Sequence, residues 1–208
     1  MALGLAATAA DLVAQQPAAG GAASGPRYTA ADVQFMQHMI VHHAQALEMA
    51  GLVPARTRTE AIRLLAQRIE ISQRDEIALM RRWLEARGEA APDPAAHAHH
   101  AGGGGAGGAG GADQAPMPGI LSAADLARLA AARGPAFDRL FLELMIRHHE
   151  GALVMVKRLF GTPGAGQEAA VFRFASDVDT DQRAEIARMR SLLRSLPPDS
   201  APADSSRA

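Results

Sequence analysis

Two pairs of adjacent histidines carry most of the chemistry that this sequence could perform. His42 and His43 follow Met39 by three and four residues, and the same Met-x-x-His-His pattern recurs in the second half of the chain. The second occurrence comprises Met145, His148 and His149. Residues three and four apart are neighbours on a helix, so each methionine can meet the two histidines that follow it. Soft thioether sulfur with borderline imidazole favours copper, especially Cu(I), over calcium or magnesium.

The histidine pairs lie in two copies of one sequence pattern. Residues 32–49 and 138–155 share nine identities in eighteen positions without a gap. A second block matches in the same order, IEISQRDEIALMRRWL over 69–84 and VDTDQRAEIARMRSLL over 178–193. Two matching blocks at fixed order identify the chain as a tandem duplication.

Each repeated segment has the spacing of an amphipathic helix. Positions 35, 39, 42, 46 and 49 are four, three, four and three residues apart, which is the seam that faces a partner helix. The seam of each copy carries one histidine, and the seam of the following helix carries a glutamine and a glutamate. These residues are His42, Gln73 and Glu76 in the first copy and His148, Gln182 and Glu185 in the second.

Burying such polar groups costs several kcal/mol apiece unless each finds a hydrogen-bond partner or a metal ion. His42 and His148 are therefore either core histidines bonded to Gln or Glu of a neighbouring helix, or metal ligands. The seam methionines have two interpretations as well, because methionine commonly fills gaps in helical cores. This second group comprises Met49, Met80, Met155 and Met189.

Further histidines widen the candidate set. His38 lies one turn before His42 and could add a ligand in the first copy only, because the second copy has Leu144 there. A short tract in a Gly-rich region contains His97, His99 and His100. Such a tract either captures Cu(II), Ni(II) or Zn(II) weakly or is simply solvated.

Composition divides the chain into five parts. Residues 1–26 surround a short apolar stretch with small and polar residues, which predicts a secretory-signal remnant or a disordered tail. The two repeats occupy 27–88 and 119–196, and a Gly-, Pro- and His-rich linker occupies 89–118. A second disordered tail is predicted over 197–208. The signal interpretation predicts an extracytoplasmic protein, either periplasmic or secreted.

The elements that must position the histidines are all helical, because no stretch alternates with period two long enough to make a strand. Thr29, Thr59 and Ser122 are predicted N-caps. Gly51 and Pro54 are predicted to end the first long helix, and the Gly- and Pro-rich segment 161–166 its counterpart. The predicted fold is all-α, a four-helix bundle of two tandem helical hairpins with a short extra helix near 123–132. The linker would be its long crossover connection.

Composition also excludes several function classes. The chain has no cysteine, so disulfides and thiolate metal sites are excluded. A formal net charge of −1 provides no positive field for a nucleic-acid partner. No apolar run reaches the roughly 18 residues that a membrane-spanning helix needs. The absence of a Ser-His-Asp order, a phosphate-binding glycine loop and a nucleophilic cysteine predicts neither an enzyme nor an organic cofactor.

The two blocks, with Asp, Phe, Met-Ile, His-His, Ala and Met followed by Gln-x-x-Glu-Ile-x-x-Met, resemble the domain-of-unknown-function family 305. The resemblance covers both repeats and implies a ferritin-like helical bundle, export from bacterial cells and, in some relatives, copper binding and copper tolerance. In the first copy its motif positions are Met39, His42, His43, Met49, Gln73, Glu76 and Met80. In the second they are Met145, His148, His149, Met155, Gln182, Glu185 and Met189. All except the two glutamines are predicted metal-site residues.

The two copies differ beside the histidines. Glu150 and Gly151 stand in the second copy where the first has Ala44 and Gln45. Two metal sites built on these copies are therefore expected to differ in affinity.

Three functions remain open at this stage. The main hypothesis is an exported metal-binding bundle that buffers, transports or confers tolerance to copper. The alternative is a structural or interaction module whose buried His, Gln and Glu fix helix packing. A di-metal oxidoreductase is a third hypothesis, which the absence of Glu-x-x-His disfavours. The sequence also leaves open a homo-oligomer and whether Glu76 and Glu185 reach the histidines.

Overall fold

A computed structural model describes residues 28–93 and 117–197. The predicted signal remnant, the His tract of the linker and nearly all of the C-terminal tail lie outside these ranges. The described residues form five α-helices and no strand, so the predicted all-α class is confirmed. The helices are α1 (Ala30–Arg56), α2 (Glu60–Glu85), α3 (Ala123–Ala131), α4 (Gly134–Gly161) and α5 (Ala169–Ser195). None of them is both long and apolar enough to cross a membrane.

Each repeat forms one helical hairpin. The first repeat packs α1 along α2, and the second packs α4 along α5. The hairpins join through α1 and α4, with the short α3 resting on both of these central helices. Each outer helix packs chiefly along the central helix of its own repeat, α2 along α1 and α5 along α4.

Helix starts follow the predicted caps at two of three positions. Thr29 accepts a hydrogen bond from the backbone of Asp32, whose carboxylate accepts one from the Thr29 N–H in return. Ser122 caps α3 by accepting from the Asp125 N–H at 3.1 Å. Thr59 precedes α2 without a side-chain cap bond, because its hydroxyl donates to Asp138 of the other repeat. The Thr59 hydroxyl therefore contributes a contact between the two repeats and no cap to its own helix.

The predicted end of α1 is wrong. The helix continues through Gly51 and Pro54 to Arg56. A proline inside a helix forfeits one backbone hydrogen bond, but Ala50 and Val53 on the same turns are buried in the core and hold the segment in place. The counterpart α4 ends at Gly161, as its Gly- and Pro-rich segment predicts.

The apolar core consists of two clusters. One combines the C-terminal half of α1 with the N-terminal half of α4, together with α3. The other combines the N-terminal half of α1 with the C-terminal half of α4. The central helices are therefore antiparallel, and the two repeats are related by an approximate twofold axis. Between the clusters, at mid-helix, lies a polar layer that contains the four paired histidines and both seam glutamines.

Equivalent aspartates tie each repeat to the other. The Asp32 carboxylate accepts a hydrogen bond from the Gly166 N–H at 2.6 Å, in the loop between α4 and α5. The equivalent Asp138 accepts from the Thr59 hydroxyl at 2.5 Å, in the loop between α1 and α2. Both aspartates are buried, at 0% and 1% exposure. Each hairpin loop is thus held by the first long helix of the opposite repeat.

Candidate metal centre

The four paired histidines lie at the middle of the central helices, and all of them are buried. The rings of His42 and His148, which are equivalent residues, lie face to face with centroids 3.8 Å apart and planes tilted by 37°. The ring of His43 lies 6.4 Å from that of His42, and the ring of His149 lies 6.1 Å from that of His148. The approximate twofold axis thus brings both predicted histidine pairs into one layer.

Both seam glutamates reach the histidines, a point that the sequence left open. The Nε2 atom of His43 bonds the Glu76 carboxylate, and Nε2 of His149 bonds the Glu185 carboxylate at 2.6 Å. The side chains of Glu76 and Glu185 are 16% and 14% exposed. A carboxylate is an acceptor, so each neutral ring carries its proton on Nε2 and leaves the Nδ1 lone pair free.

His42 has the same tautomer for a different reason. Its Nε2 donates to the backbone carbonyl of Pro118 at 3.1 Å, and a carbonyl can only accept. The free lone pair of His42 is therefore again on Nδ1. Neither nitrogen of the His148 ring has a hydrogen-bond partner among the described residues.

Several buried polar atoms of this layer have no hydrogen-bond partner in the described chain. They are Nδ1 of His42, His43, His148 and His149, Nε2 of His148, and Oε1 of Gln73 and Gln182. Leaving such an atom unsatisfied costs about 1–3 kcal/mol, so this layer is costly to bury as it stands. Nitrogen lone pairs without protons are the donors that a metal ion uses. The donor set therefore fits a metal ion.

Burial keeps the central pair neutral. Desolvation, together with the electrostatic effect of the neighbouring His43 and His149, lowers the pKa of His42 to about 3, against the opposing effect of the hydrogen bond to Pro118. Desolvation, with charge on the neighbouring histidines, also brings the pKa of His148 well below its ordinary value. Both rings are consequently neutral at neutral pH, with one ring nitrogen carrying a proton and the other a lone pair, which is the form that binds metals.

Imidazoles and carboxylates alone do not complete a metal site here. Within the described ranges, no three His, Asp or Glu side chains are grouped so that they could hold an ion by themselves. The six predicted methionines lie in the apolar clusters on either side of the polar layer. Met39, Met80 and Met155 belong to one cluster, and Met145, Met189 and Met49, their equivalents, belong to the other. Each is buried and fills core space, which both interpretations of the methionines require.

A short segment breaks the twofold relation. Residues 117–121, which we call the strap, precede α3 and cross the polar layer. Gln45 holds the strap through two bonds to Leu121, accepting from its N–H at 2.7 Å and donating to its carbonyl at 3.1 Å. These bonds place the Pro118 carbonyl over His42.

The strap also explains the glycine that distinguishes the second copy. A Cβ atom on Gly151 would lie 2.2 Å from the Pro118 carbonyl oxygen and 2.4 Å from the Gly119 Cα. Gly119 itself has a φ of +79°, in the left-handed region. Only glycine therefore allows the strap to cross α4 this closely. The sequence signalled this feature through the departures at Gln45 and Gly151, but it did not show their cause.

The outer side of the layer is acidic. The pKa of Asp181 on α5 is raised by partial burial, then by the charges of Glu76 and Glu185, and then by Asp177. The glutamates of both repeats therefore lie near one exposed aspartate, between the outer helices. Sequence reasoning did not include Asp181 in the site, because it lies outside the helix seam.

Solved structures similar to this one share its fold over nearly their whole lengths. A DUF305 fragment from Deinococcus radiodurans is 31% identical, with a TM-score of 0.65 over 81% of this chain and 99% of that one. A DUF305 protein from Streptomyces coelicolor, named as a candidate secreted protein, is 28% identical, with a TM-score of 0.64 over 79% of this chain and 92% of that one.

CopM in its Ag-bound form has a TM-score of 0.56 at 25% identity, over 78% of this chain and 95% of that one. The Cu(I)-bound form of CopM has a TM-score of 0.57 at 24% identity, with the same coverage. No curated protein is detectably similar to the chain.

A family model described as Domain of unknown function (DUF305) matches residues 32–193, which span both repeats and the linker between them. The repeated sequence blocks, the all-helical fold and the similar solved structures all indicate the same family. The chain therefore belongs to the DUF305 family.

Proposed function

We propose that the protein binds copper as Cu(I) in the polar layer and serves to buffer, transport or detoxify it outside the cytoplasm. The observation that carries the proposal is a set of buried ring nitrogens without hydrogen-bond partners, on two pairs of equivalent histidines. Structural histidines of a core are normally hydrogen-bonded. The number of unpartnered ring nitrogens in this one layer therefore favours a role as metal ligands.

In this proposal the ligands are the free ring nitrogens together with thioethers from the flanking clusters. Met39 and Met145 are the first such candidates, because each lies one turn before a histidine pair. Met49, Met80, Met155 and Met189 remain candidates. Soft thioethers select Cu(I) over harder ions. The fold of CopM supports the choice of a soft ion, since CopM is similar in structure and has a silver-bound form.

We assign Glu76 and Glu185 an orienting role. Each carboxylate accepts the Nε2–H of a histidine and thereby directs the Nδ1 lone pair into the layer. Partners of this kind fix the tautomer of a metal-binding histidine and raise its basicity. The sequence predicted both glutamates as metal-site residues, and their hydrogen bonds are the reason for placing them behind the histidines.

The extracytoplasmic part of the proposal has separate support. A family member from Streptomyces coelicolor is named as a candidate secreted protein. Copper buffering needs a binding site and no reacting group, so we propose a binding protein and no enzymatic activity.

Anaerobic titration with Cu(I), in competition with a chromogenic chelator, tests the proposal. The full-length chain carries His97→Gln, His99→Gln and His100→Gln, so that the linker tract does not contribute. We expect tight stoichiometric binding of Cu(I), with weaker binding of Zn(II). The variant with His42, His43, His148 and His149 all changed to Leu should lose this binding, and far-UV circular dichroism checks that it keeps its helicity.

Glutamate variants refine the test. Glu76→Gln and Glu185→Gln should each weaken Cu(I) binding by about 10- to 100-fold, the usual effect of losing a carboxylate behind a metal-binding histidine. Glu70→Gln is the matched control, because the Glu70 side chain is 39% exposed and, in the described part of the chain, pairs with Arg74 on its own helix. If the parent chain binds no Cu(I) tightly, or the quadruple variant binds it equally well, the histidines are core hydrogen-bonding groups and the protein is a structural module.

A further inference from the structure

A cleft of about 250 Å³ opens at the surface between α1, the strap and α4. Three side chains with soft or borderline donors line it, and each comes from a different one of these elements. They are His38, Met117 and Met155. A thioether pair with one imidazole is a donor set for a soft monovalent cation.

His38 is suited to bind from this cleft. Its side chain is half-buried and lies on the lining of the cleft. No hydrogen bond to its ring is formed within the described part of the chain. The equivalent position in the second repeat is Leu144, which is buried in the opposite apolar cluster. The set of soft donors in the cleft is therefore not repeated at the position related by the approximate twofold axis.

The cleft adjoins the buried layer through one residue. Pro118 lines the cleft, and its carbonyl accepts the hydrogen bond from His42. His42 lies one helical turn from His38 on the same side of α1. Pro118 of the strap thus contacts both the cleft and the ring of the buried His42.

The surrounding charge selects among cations. The exposed Arg158 lies on the lining of the cleft, and no acidic side chain among the described residues lines it. A guanidinium disfavours a divalent ion more strongly than a monovalent one. Cu(I) meets both the charge and the softness of the site.

We propose that His38, Met117 and Met155 form an entry site that binds Cu(I) at the surface and delivers it past the strap to His42. The destination of the ion rests on the proposed function, whereas binding in the cleft does not. The strap is the barrier between the two sites, and its displacement from His42 lets the ion pass.

Methyl NMR with Ag(I) as a diamagnetic probe tests binding in the cleft. The full-length chain, with the linker histidines changed to Gln as above, carries labelled methionine methyl groups. We expect the Met117 and Met155 methyl signals to shift at the first additions of Ag(I). In the quadruple His-to-Leu variant these shifts should persist. Unchanged Met117 and Met155 signals in both proteins would overturn the inference.

Stopped-flow loading with Cu(I) tests delivery. The double variant His38→Leu, Met117→Leu should load the buried layer at least about tenfold more slowly than the parent, because loss of even an outer partner costs that factor at metal sites. Its equilibrium affinity for the buried ion should be unchanged. Gln34→Ala, which changes an exposed residue of the same cleft without a soft donor, is the control.

The outcomes separate the two proposals. A double variant that loads at the parental rate contradicts the entry site, whatever the affinity of the buried layer. A quadruple His variant that keeps all its tight Cu(I) contradicts the proposed function, even when the methyl shifts of the cleft are observed.

Discussion

At the scale of single residues, proton placement decides what the polar layer can bind. Carboxylates hold the protons of His43 and His149 on Nε2, and the Pro118 carbonyl does the same for His42. Three rings thus present the same nitrogen lone pair for two different reasons. A layer arranged in this way is ready for a cation and poorly satisfied without one.

The low pKa values of the central pair predict a pH-dependent stability of the metal-free protein. The native state keeps His42 unprotonated down to about pH 3, whereas the unfolded chain binds a proton near the ordinary value of 6.5. His148 behaves in the same sense. The unfolded state therefore binds more protons below that value, and the free energy of unfolding falls as the pH is lowered. The loss approaches about 1.4 kcal/mol per pH unit for each histidine.

Urea unfolding at intervals between about pH 7 and pH 5 measures this slope. The groups that face the pair are His43 and His149 on the central helices and Glu76 and Glu185 on the outer ones, and all four remain unchanged in the comparison. The double variant His42→Leu, His148→Leu should show a much flatter slope. A metal-free parent with constant stability over this range would contradict the assignment of neutral rings.

Much of the residue-scale pattern could be predicted from the sequence. A histidine, a glutamine and a glutamate at seam positions indicate a buried polar layer wherever the helices pair, because the seam must face inward. The partners of these groups could not be predicted. His42 bonds a backbone carbonyl some 76 positions away in the chain, and no local pattern encodes such a contact.

At the scale of elements, the strap gives the two repeats different surroundings. Gln45 anchors it and Gly151 makes room for it, and these residues occupy equivalent positions. The difference between the two copies at this position therefore serves one purpose, which is to hold the strap against the polar layer. It leaves one side of the polar layer covered by backbone and the other bordered by acidic side chains.

Gly151→Ala should destabilise the protein by about 1–3 kcal/mol, because the added methyl group would overlap the backbone of Pro118 and Gly119. Gly51→Ala is the matched control. A Cβ on Gly51 meets nothing within 4 Å, and alanine in a helix is more stable than glycine by about 0.5–1 kcal/mol. Urea midpoints should move in opposite directions for the two variants. A Gly151→Ala protein as stable as the parent would show that the strap does not pack as described.

The helix boundaries show where local signals fail. Pro54 is a strong local signal for a helix end, yet α1 passes through it. Burial of Ala50 and Val53 in the core outweighs one missing hydrogen bond, and sequence alone does not reveal the depth of that burial. The Thr29 cap follows its local pattern, because its partner Asp32 lies within the same turn.

At the scale of the whole molecule, the two hairpins hold each other by reciprocal contacts. Asp32 bonds the loop of the second hairpin, and Asp138 bonds the loop of the first. The loop of each hairpin therefore depends on a hydrogen bond with the other hairpin. The two repeats should unfold as one cooperative unit.

Thr59→Val removes the hydroxyl that donates to Asp138 and leaves that buried carboxylate without this partner. We expect a loss of about 1–3 kcal/mol in the free energy of unfolding, with Thr59→Ser close to the parent. Fluorescence of Trp83, the only tryptophan, and far-UV circular dichroism should report one coincident transition. Two separate transitions would instead show that the hairpins fold independently.

The unequal neighbours of the histidine layer depend on both hairpins belonging to one polypeptide. In a homodimer of a single hairpin, the two central helices would be identical, and every residue beside the axis would occur twice. Two glycines would leave the Leu121 backbone without its amide partner, and two glutamines would block the crossing at Pro118. Two hairpins within one polypeptide are free of that constraint. A nearly symmetric set of histidines can then have one face covered by the strap and the other bordered by acidic side chains, so the two faces of the layer differ.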